Sequence, residues 1–324
     1  MKEPLYLLSE GILYRNKNTL FFQNVDGKRS FPINSISEII CCTRVTIRSG
    51  CLGYLLKKGI PIHFFNMYGW YQGTLYPREF LISGKVVIKQ AEHYLNKEKR
   101  LILAKEIVSG VKHNILKTLE YYRRRGKDVD TEPIENLSIE QCNNIPELMS
   151  LEGKIWNYYY SCFDKILKKF KLGKRERQPP TNEINSLISF GNSLLYARCL
   201  TSIYHTYLNP AISYLHEPSD RRFSLALDIA ELFKPLFVSR VIFSLVNKSK
   251  ITEKCFDRVN RGVLLNSKGK RIFLEAFDEK LKTTVFYPSL RRKVSYAEMI
   301  KLECYKLMKH VLEDKPYRSF RMWW

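Results

Sequence analysis

Apolar residues recur two positions apart through the first quarter of the chain. Leu5 and Leu7, Leu20 and Phe22, Phe31 and Ile33, and Val45 and Ile47 form such pairs, the spacing of half-buried strands. The turn clusters Arg15-Asn16-Lys17-Asn18, Asp26-Gly27-Lys28 and Arg48-Ser49-Gly50 separate them. A short helix is predicted over Cys51–Lys58, with Gly59 closing it as glycines commonly close helices. An apolar strand, Ile60–Phe65, follows, and Gly69 marks a hairpin turn before a last strand, Tyr71–Leu75. Residues 1–78 therefore read as a small sheet domain with one helix.

From about residue 88 the period lengthens to that of a helix. Leu95, Leu101, Leu103, Ile107, Val111, Ile115 and Leu119 form one long stripe. Arg123–Ile134 is charged and carries Gly126 and Pro133, which predicts an exposed loop. Helical patterns resume over 147–170, 183–208, 223–246 and 295–312, joined by connectors holding Pro179-Pro180, Asn209-Pro210 and Pro218. The expected class is α+β: a β-sheet domain over 1–78, a linker over 79–91 and a larger all-α domain over 92–324. No internal repeat or low-complexity tract interrupts the pattern.

Composition narrows the function. Hydrophobic residues make up 45% of the 324, enough for a real core and too many for a disordered chain. The formal net charge is +22, and such an excess usually answers a polyanion, nucleic acid before an anionic membrane. Gly59–Pro77 is uncharged over nineteen residues, yet Pro61, His63, Asn66, Gly69, Gln72 and Gly73 make it too polar to span a membrane. No basic amphipathic segment with an exposed apolar face points to a membrane surface either. Eight scattered cysteines show no CxxC pair and read as reduced thiols, the usage expected of a cytosolic protein. Phosphate-loop, dinucleotide and nucleophile-elbow motifs are missing, so nucleotide-driven work is not expected.

Acids on apolar faces are the next signal. Glu152 falls in the stripe of Leu148, Ile155, Tyr159 and Phe163, where an unpaired carboxylate costs several kcal/mol. The 223–246 segment is apolar nearly all round, and its acids, Asp228 and Glu231, share one face at i and i+3. His216 precedes that segment. Carboxylates with a single imidazole suit Mn²⁺ or Mg²⁺ better than zinc. The same residues also read as salt-bridged core acids beside a satisfied histidine, and spacing leaves both readings open. Seven basic residues crowd 165–177 beside one acid, and Arg123-Arg124-Arg125 and Arg291-Arg292-Lys293 form two more clusters. Together with the net charge they favour a surface that tracks phosphates, with Lys174, Arg175, Arg177 and Arg222 as candidate contacts. Tyr158-Tyr159-Tyr160 offers rings for stacking, although helical spacing sends at least one into the core. His63, His93, His113, His205 and His310 read as structural or solvent-facing.

Several blocks resemble the CRISPR-associated integrase and endonuclease family over nearly the whole chain. These are Leu55–Phe65 with Gly69-Trp70-Tyr71-Gln72-Gly73, Leu151-Glu152-Gly153 with Tyr159, and Arg177-Gln178-Pro179-Pro180 through Asn185 and Ser189-Phe190-Gly191. The most specific block is Tyr214-Leu215-His216 followed by Ser224-Leu225-Ala226-Leu227-Asp228-Ile229-Ala230-Glu231-Leu232-Phe233-Lys234-Pro235. The chain departs from the commonest pattern at Ser213, where Gly is frequent, at Lys234, where Arg is frequent, and at Glu231, where some members carry Asp. Leu302–Leu307 is most similar to members from type I-B systems.

The resemblance implies Glu152, His216 and Glu231 as ligands of Mn²⁺ or Mg²⁺ and Asp228 as a supporting acid. It further implies a homodimer paired through the sheet domains and assembly with a small CRISPR-associated partner protein on double-stranded DNA. The implied reaction is transesterification, in which a spacer 3′-hydroxyl attacks a phosphodiester of the CRISPR array. Two alternatives share the residue pattern: a metal-dependent nuclease of branched DNA, and a non-catalytic basic nucleic-acid-binding scaffold.

Overall fold

Alternation in the sheet domain resolves into eight strands and a helix, β1 (Glu3–Leu7), β2 (Gly11–Asn16), β3 (Thr19–Asn24), β4 (Gly27–Pro32), β5 (Ile36–Cys41), β6 (Val45–Ile47), α1 (Ser49–Lys57), β7 (Ile62–Phe65) and β8 (Tyr71–Leu75). The computed structural model describes residues 2–77, 81, 83–177, 179–218, 223–259 and 262–324. One sheet runs β1-β5-β7-β8 and the other β4-β3-β2-β6. The first is parallel except where β8 folds back on β7, and in the second only the β2–β6 pair is parallel. Leu7, Leu13, Leu20, Phe22, Ile39, Leu55 and Ile62 fill the sheet domain's own core.

The central strand β5 is buried on both faces, as parallel strands usually are. Ile39 and Cys41 point into the sheet core, whereas Ile40 and the following Cys42 join the main helical core. Glu38 shares the helix-facing side, so a carboxylate is carried into the domain junction. Its Oε1 pairs with Arg198, and its Oε2 accepts from Thr201 Oγ1 at 2.5 Å and lies 3.2 Å from His63 Nε2. His63 Nδ1 contacts Thr74 Oγ1 at 2.7 Å, which completes a polar seam between the domains.

The second part is built from α2 (Gly84–Leu95), α3 (Lys97–Arg123), α4 (Glu132–Glu135), α5 (Ile145–Ser161), α6 (Phe163–Ile166), α7 (Glu183–Tyr204), α8 (Ser224–Lys234), α9 (Arg240–Asn247), α10 (Ser267–Lys282) and α11 (Tyr296–Glu313). Two hairpins interrupt it, β9 (Phe256–Val259) with β10 (Gly262–Leu265) and β11 (Thr284–Tyr287) with β12 (Arg292–Ser295). The β-then-helical order is as expected, but the second part is not purely helical: short apolar runs between turns pair as hairpins. Helix α10 also escaped the pattern reading, although Phe273, Phe277 and Leu281 repeat every fourth residue and are buried.

Other boundaries shift for identifiable reasons. The expected linker holds most of α2, started by the Ser83 hydroxyl accepting from Val86 N. Its buried face includes Gln90 and His93, polar residues that break the apolar stripe. The expected loop 123–134 ends in α4 and buries Val129, Thr131 and Ile134. Strand β7 starts at Ile62 rather than at Ile60, and α1 begins at Ser49. The pattern over 147–170 divides into α5, α6 and an irregular stretch that still buries Leu167 and Leu172. The 223–246 segment is not one α-helix. Pro235 has no N–H to donate to the Glu231 carbonyl, and Pro235–Ser239 widens into a π-helical turn.

Candidate active site

Helix α5 presents Glu152. Its start is fixed by Asn144, whose side chain accepts from Glu147 N, while Glu147 reaches back to Asn143 N, a reciprocal cap. Glu152 lies two turns in, 9% exposed. Helix α8 presents Asp228 and Glu231, both buried, and Ser224 Oγ ties its first residue to the Ala211 carbonyl.

Asp228 organises the third element. Its Oδ2 accepts from Tyr214 N at 2.7 Å and Leu215 N at 3.0 Å, and its Oδ1 accepts from His216 N at 3.0 Å. The same Oδ1 lies 2.8 Å from His216 Nδ1. Asp228 is thus a positioning residue that uses both oxygens to pin the loop to α8. With Nδ1–H engaged, the imidazole keeps Nε2 as its free donor atom, the arrangement in which histidine ligates metals.

The carboxylates feel each other. Burial, and then the charge of Glu231, push the Glu152 carboxyl up to about 7 against the pull of Lys234 and His216. Burial disfavours the His216 imidazolium, but the hydrogen bond and charge of Asp228, with Glu231 behind them, outweigh it and raise its pKa. Glu231 Oε1 pairs with Lys234, one turn on, whereas its buried Oε2 has no hydrogen-bond partner. Lys234 also lies 5.4 Å from the centre of the Trp156 ring. Burial would depress this ammonium, but the negative charges around it, Glu231 first, hold its pKa above the usual value.

The sequence singles out Lys234 only as a departure from a frequent Arg, and its ion pair with Glu231 was not foreseen. Its spacing at i+3 from Glu231 was the available signal. Among the described residues, no group of three or more His, Cys, Asp or Glu side chains stands ready to hold a metal ion. The donor set nevertheless has the right chemistry. It combines a buried carboxylate oxygen with no partner, a second acid held protonated to higher pH by burial and then by the charge of the first, and an oriented imidazole.

The basic candidates separate. Arg175 donates to Asn185 Oδ1 at 2.9 Å and Ser189 Oγ at 3.0 Å, so α7 locks it in place. Lys174 and Arg177 are exposed. Arg222 lies outside the described residues. Tyr159 is fully buried and Tyr160 half-buried, so the tyrosine run divides as helical spacing requires.

A family model described as CRISPR associated protein Cas1 matches residues 5–279. The chain belongs to the Cas1 family. It is 51% identical over 324 residues to the Cas1 protein of Methanobrevibacter ruminantium, covering 100% of this chain and 99% of that one. It is 45% identical over 330 residues to the Cas1 endonuclease of Fusobacterium nucleatum, covering 100% and 98% of the two chains. The solved Cas1 structure from Thermotoga maritima superposes with a TM-score of 0.89 at 42% identity, covering 98% of this chain and 100% of that one. Cas1 membership makes the chain an enzyme of the endonuclease class and accounts for its β-then-helical order. No described helix is long and apolar enough to cross a membrane.

Proposed function

We propose that this Cas1 chain is a DNA integrase of CRISPR adaptation with associated endonuclease activity. It inserts short duplexes into a CRISPR array by metal-dependent transesterification. The observation that supports this reading is an Asp228-oriented His216 within electrostatic reach of Glu152 and Glu231, which two different helices of a strongly basic chain contribute.

Glu152, His216 Nε2 and Glu231 would hold Mg²⁺ or Mn²⁺. Such an ion supplies Lewis-acid polarisation of the phosphoryl oxygen and stabilises charge on the attacking and leaving oxygens. Asp228 keeps the His216 ring turned outward through the reaction. Trp156, Tyr159 and the packed faces of α5 and α8 keep bulk water from the acids. Lys234 balances the Glu231 charge through Oε1, and the Oε2 without a hydrogen-bond partner is the oxygen that would hold the ion. The exposed Lys174 and Arg177 position the DNA backbone, a role without sequence information of its own, while Arg175, held by α7, braces the segment that carries them. The working form is a homodimer joined by its sheet domains, bound to a small CRISPR-associated partner protein and to double-stranded DNA in a prokaryotic cytoplasm.

Calorimetric titration of Mn²⁺ into chelator-stripped protein tests the donor set without relying on activity. Wild type should bind, and His216→Ala and Glu231→Gln should each lose roughly 10-fold or more in affinity, the scale seen when metal-site partners are lost. Equal affinity in all three proteins would remove the metal from this site and favour the scaffold reading.

A further inference from the structure

Two histidines and an acid outside the active site share one chemistry. His93, on α2, is 1% exposed, and its Nδ1 donates to the Lys89 carbonyl at 2.9 Å. His310, near the end of α11, donates from Nδ1 to the Lys315 carbonyl at 2.6 Å. A carbonyl only accepts, so the proton sits on Nδ1 in both rings and each Nε2 keeps a lone pair. The His93 Nε2 is buried and has no hydrogen-bond partner. It nevertheless lies 3.3 Å from Asp314 Oδ1, one acceptor facing another. The end of α11 puts the acid there: Asp314, four residues after His310, takes the left-handed cap conformation at φ 50°.

A cation must stand between those two atoms, and the distances say which kind. A charge-assisted hydrogen bond from an imidazolium to a carboxylate closes to about 2.7–2.9 Å. A tetrahedral ion with bonds of about 2.0–2.1 Å instead holds neighbouring ligand atoms about 3.3–3.4 Å apart. Two imidazoles on one such ion have their ring centres about 5 Å apart. The His93 and His310 centres are separated by 5.2 Å. Backbone carbonyls on both Nδ1 atoms orient the rings as ligating histidines are usually oriented. Lys99, on the first turn of α3, fills the cation's place, its ammonium 3.0 Å from the same Asp314 Oδ1. While it stays, the three donors do not stand ready for an ion. The Lys99 and Asp314 side chains are 44% and 68% exposed, so the ammonium can swing into water and the carboxylate can turn toward His310.

We propose that His93 Nε2, His310 Nε2 and Asp314 form a second, structural cation site, for zinc, with water completing the tetrahedron. Two imidazoles and one carboxylate suit Zn²⁺ better than the harder Mg²⁺ or Mn²⁺ proposed for the active site. The ion clamps α2 to the end of α11, where the tail begins. From there the chain runs to Tyr317, whose hydroxyl donates to Glu303 Oε1, and to Phe320, which stacks on Phe233 of α8. Zinc at this joint steadies the segment that backs α8 without touching its acids, and the site stands apart from the DNA reading.

The test is a calorimetric titration of Zn²⁺ into the untagged full chain, stripped with chelator and carrying His216→Ala so that the active-site acids lack their imidazole. This parent should bind one Zn²⁺ per chain. Adding His310→Gln or Asp314→Asn should weaken binding by roughly 10-fold or more. Adding Lys99→Gln should tighten it, because the competing ammonium is gone. Co²⁺ in place of Zn²⁺ should give the visible absorption of a tetrahedral ion, and His310→Gln should abolish it. Urea midpoints in EDTA show that the variants fold, and Asp314→Asn, the most exposed of them, should match the parent there. No Zn²⁺ uptake by the parent, or equal affinity in parent, His310→Gln and Asp314→Asn, would overturn the site and leave His93 and Asp314 an ordinary ion pair. A Lys99→Gln affinity no tighter than the parent's would overturn it too. Mn²⁺ binding by wild type answers separately for the active site.

Discussion

His63 carries the clearest pH signature of any single side chain. It is fully buried at the domain junction, and burial pushes its pKa down to about 3. Arg198 already neutralises Glu38, so the nearby carboxylate does not require an imidazolium. Neutral His63 with the proton on Nε2 satisfies the seam: it donates toward Thr201 and Glu38 and accepts from Thr74. The unfolded chain takes up a proton near the ordinary value of about 6.5, and the native state resists until far lower pH. This contribution is therefore complete above about 6.5 and is lost as pH falls toward 3, about 2 kcal/mol of it by pH 5. His205, depressed to about 4 chiefly by burial, pulls the same way. Urea unfolding of wild type and His63→Gln at pH 7 and pH 5 isolates the effect. Wild type should lose about 2 kcal/mol more than the variant over that interval, and parallel losses would assign the acid sensitivity to other groups.

Among elements, the packing of α8 against α3 and the tail decides where the acids stand. Asn114 of α3 is fully buried, and its Nδ2 donates to the Leu232 carbonyl at 2.9 Å, one residue past Glu231, and to the Phe320 carbonyl at 3.0 Å. Its Oδ1 accepts from Met322 N at 2.7 Å. One turn earlier, a Cβ on Gly110 would sit 2.4 Å from Ser319 Oγ and 2.7 Å from Leu232 Cδ2, so only glycine lets three segments meet there. Phe320 stacks on Phe233 at 4.6 Å and closes the joint. Asn114→Leu would leave two carbonyls and an N–H unpaired, a loss of about 3 kcal/mol. The variant should show that drop in urea and should join DNA ends more poorly while binding duplex DNA as wild type does. Loss of binding in proportion to joining would reduce Asn114 to a general stability residue.

The legible and illegible parts of the sequence divide along the same physical line. Strand alternation and the α3 and α5 stripes were readable because one face of each meets an apolar core, whereas α7 is buried nearly all round. Glu152, Asp228 and Glu231 stood out because they break such faces. The π turn after Lys234 was foreshadowed only by Pro235. Asn114 and Gly110 gave no local signal, since their role exists only once the tail has crossed α3. The Lys234–Glu231 pair lay in plain view at i+3, but nothing in spacing told it apart from an exposed surface pair.

At the scale of the molecule, the sheet domain and the helical domain share a buried polar seam and a continuous apolar boundary. The net charge of +22 favours association with a polyanion. Family membership and the acids' placement follow from different observations, sequence similarity in one case and side-chain geometry in the other. The proposed DNA strand chemistry rests on both. The most direct measurement is a joining assay: purified protein with its small CRISPR-associated partner, a short duplex with 3′-hydroxyl ends, a supercoiled plasmid bearing an array, and Mn²⁺ or EDTA. The account predicts metal-dependent joined product with wild type and none with Glu231→Gln or His216→Ala, although both variants still bind the duplex. Joining that persists in either variant, or in EDTA, would contradict it.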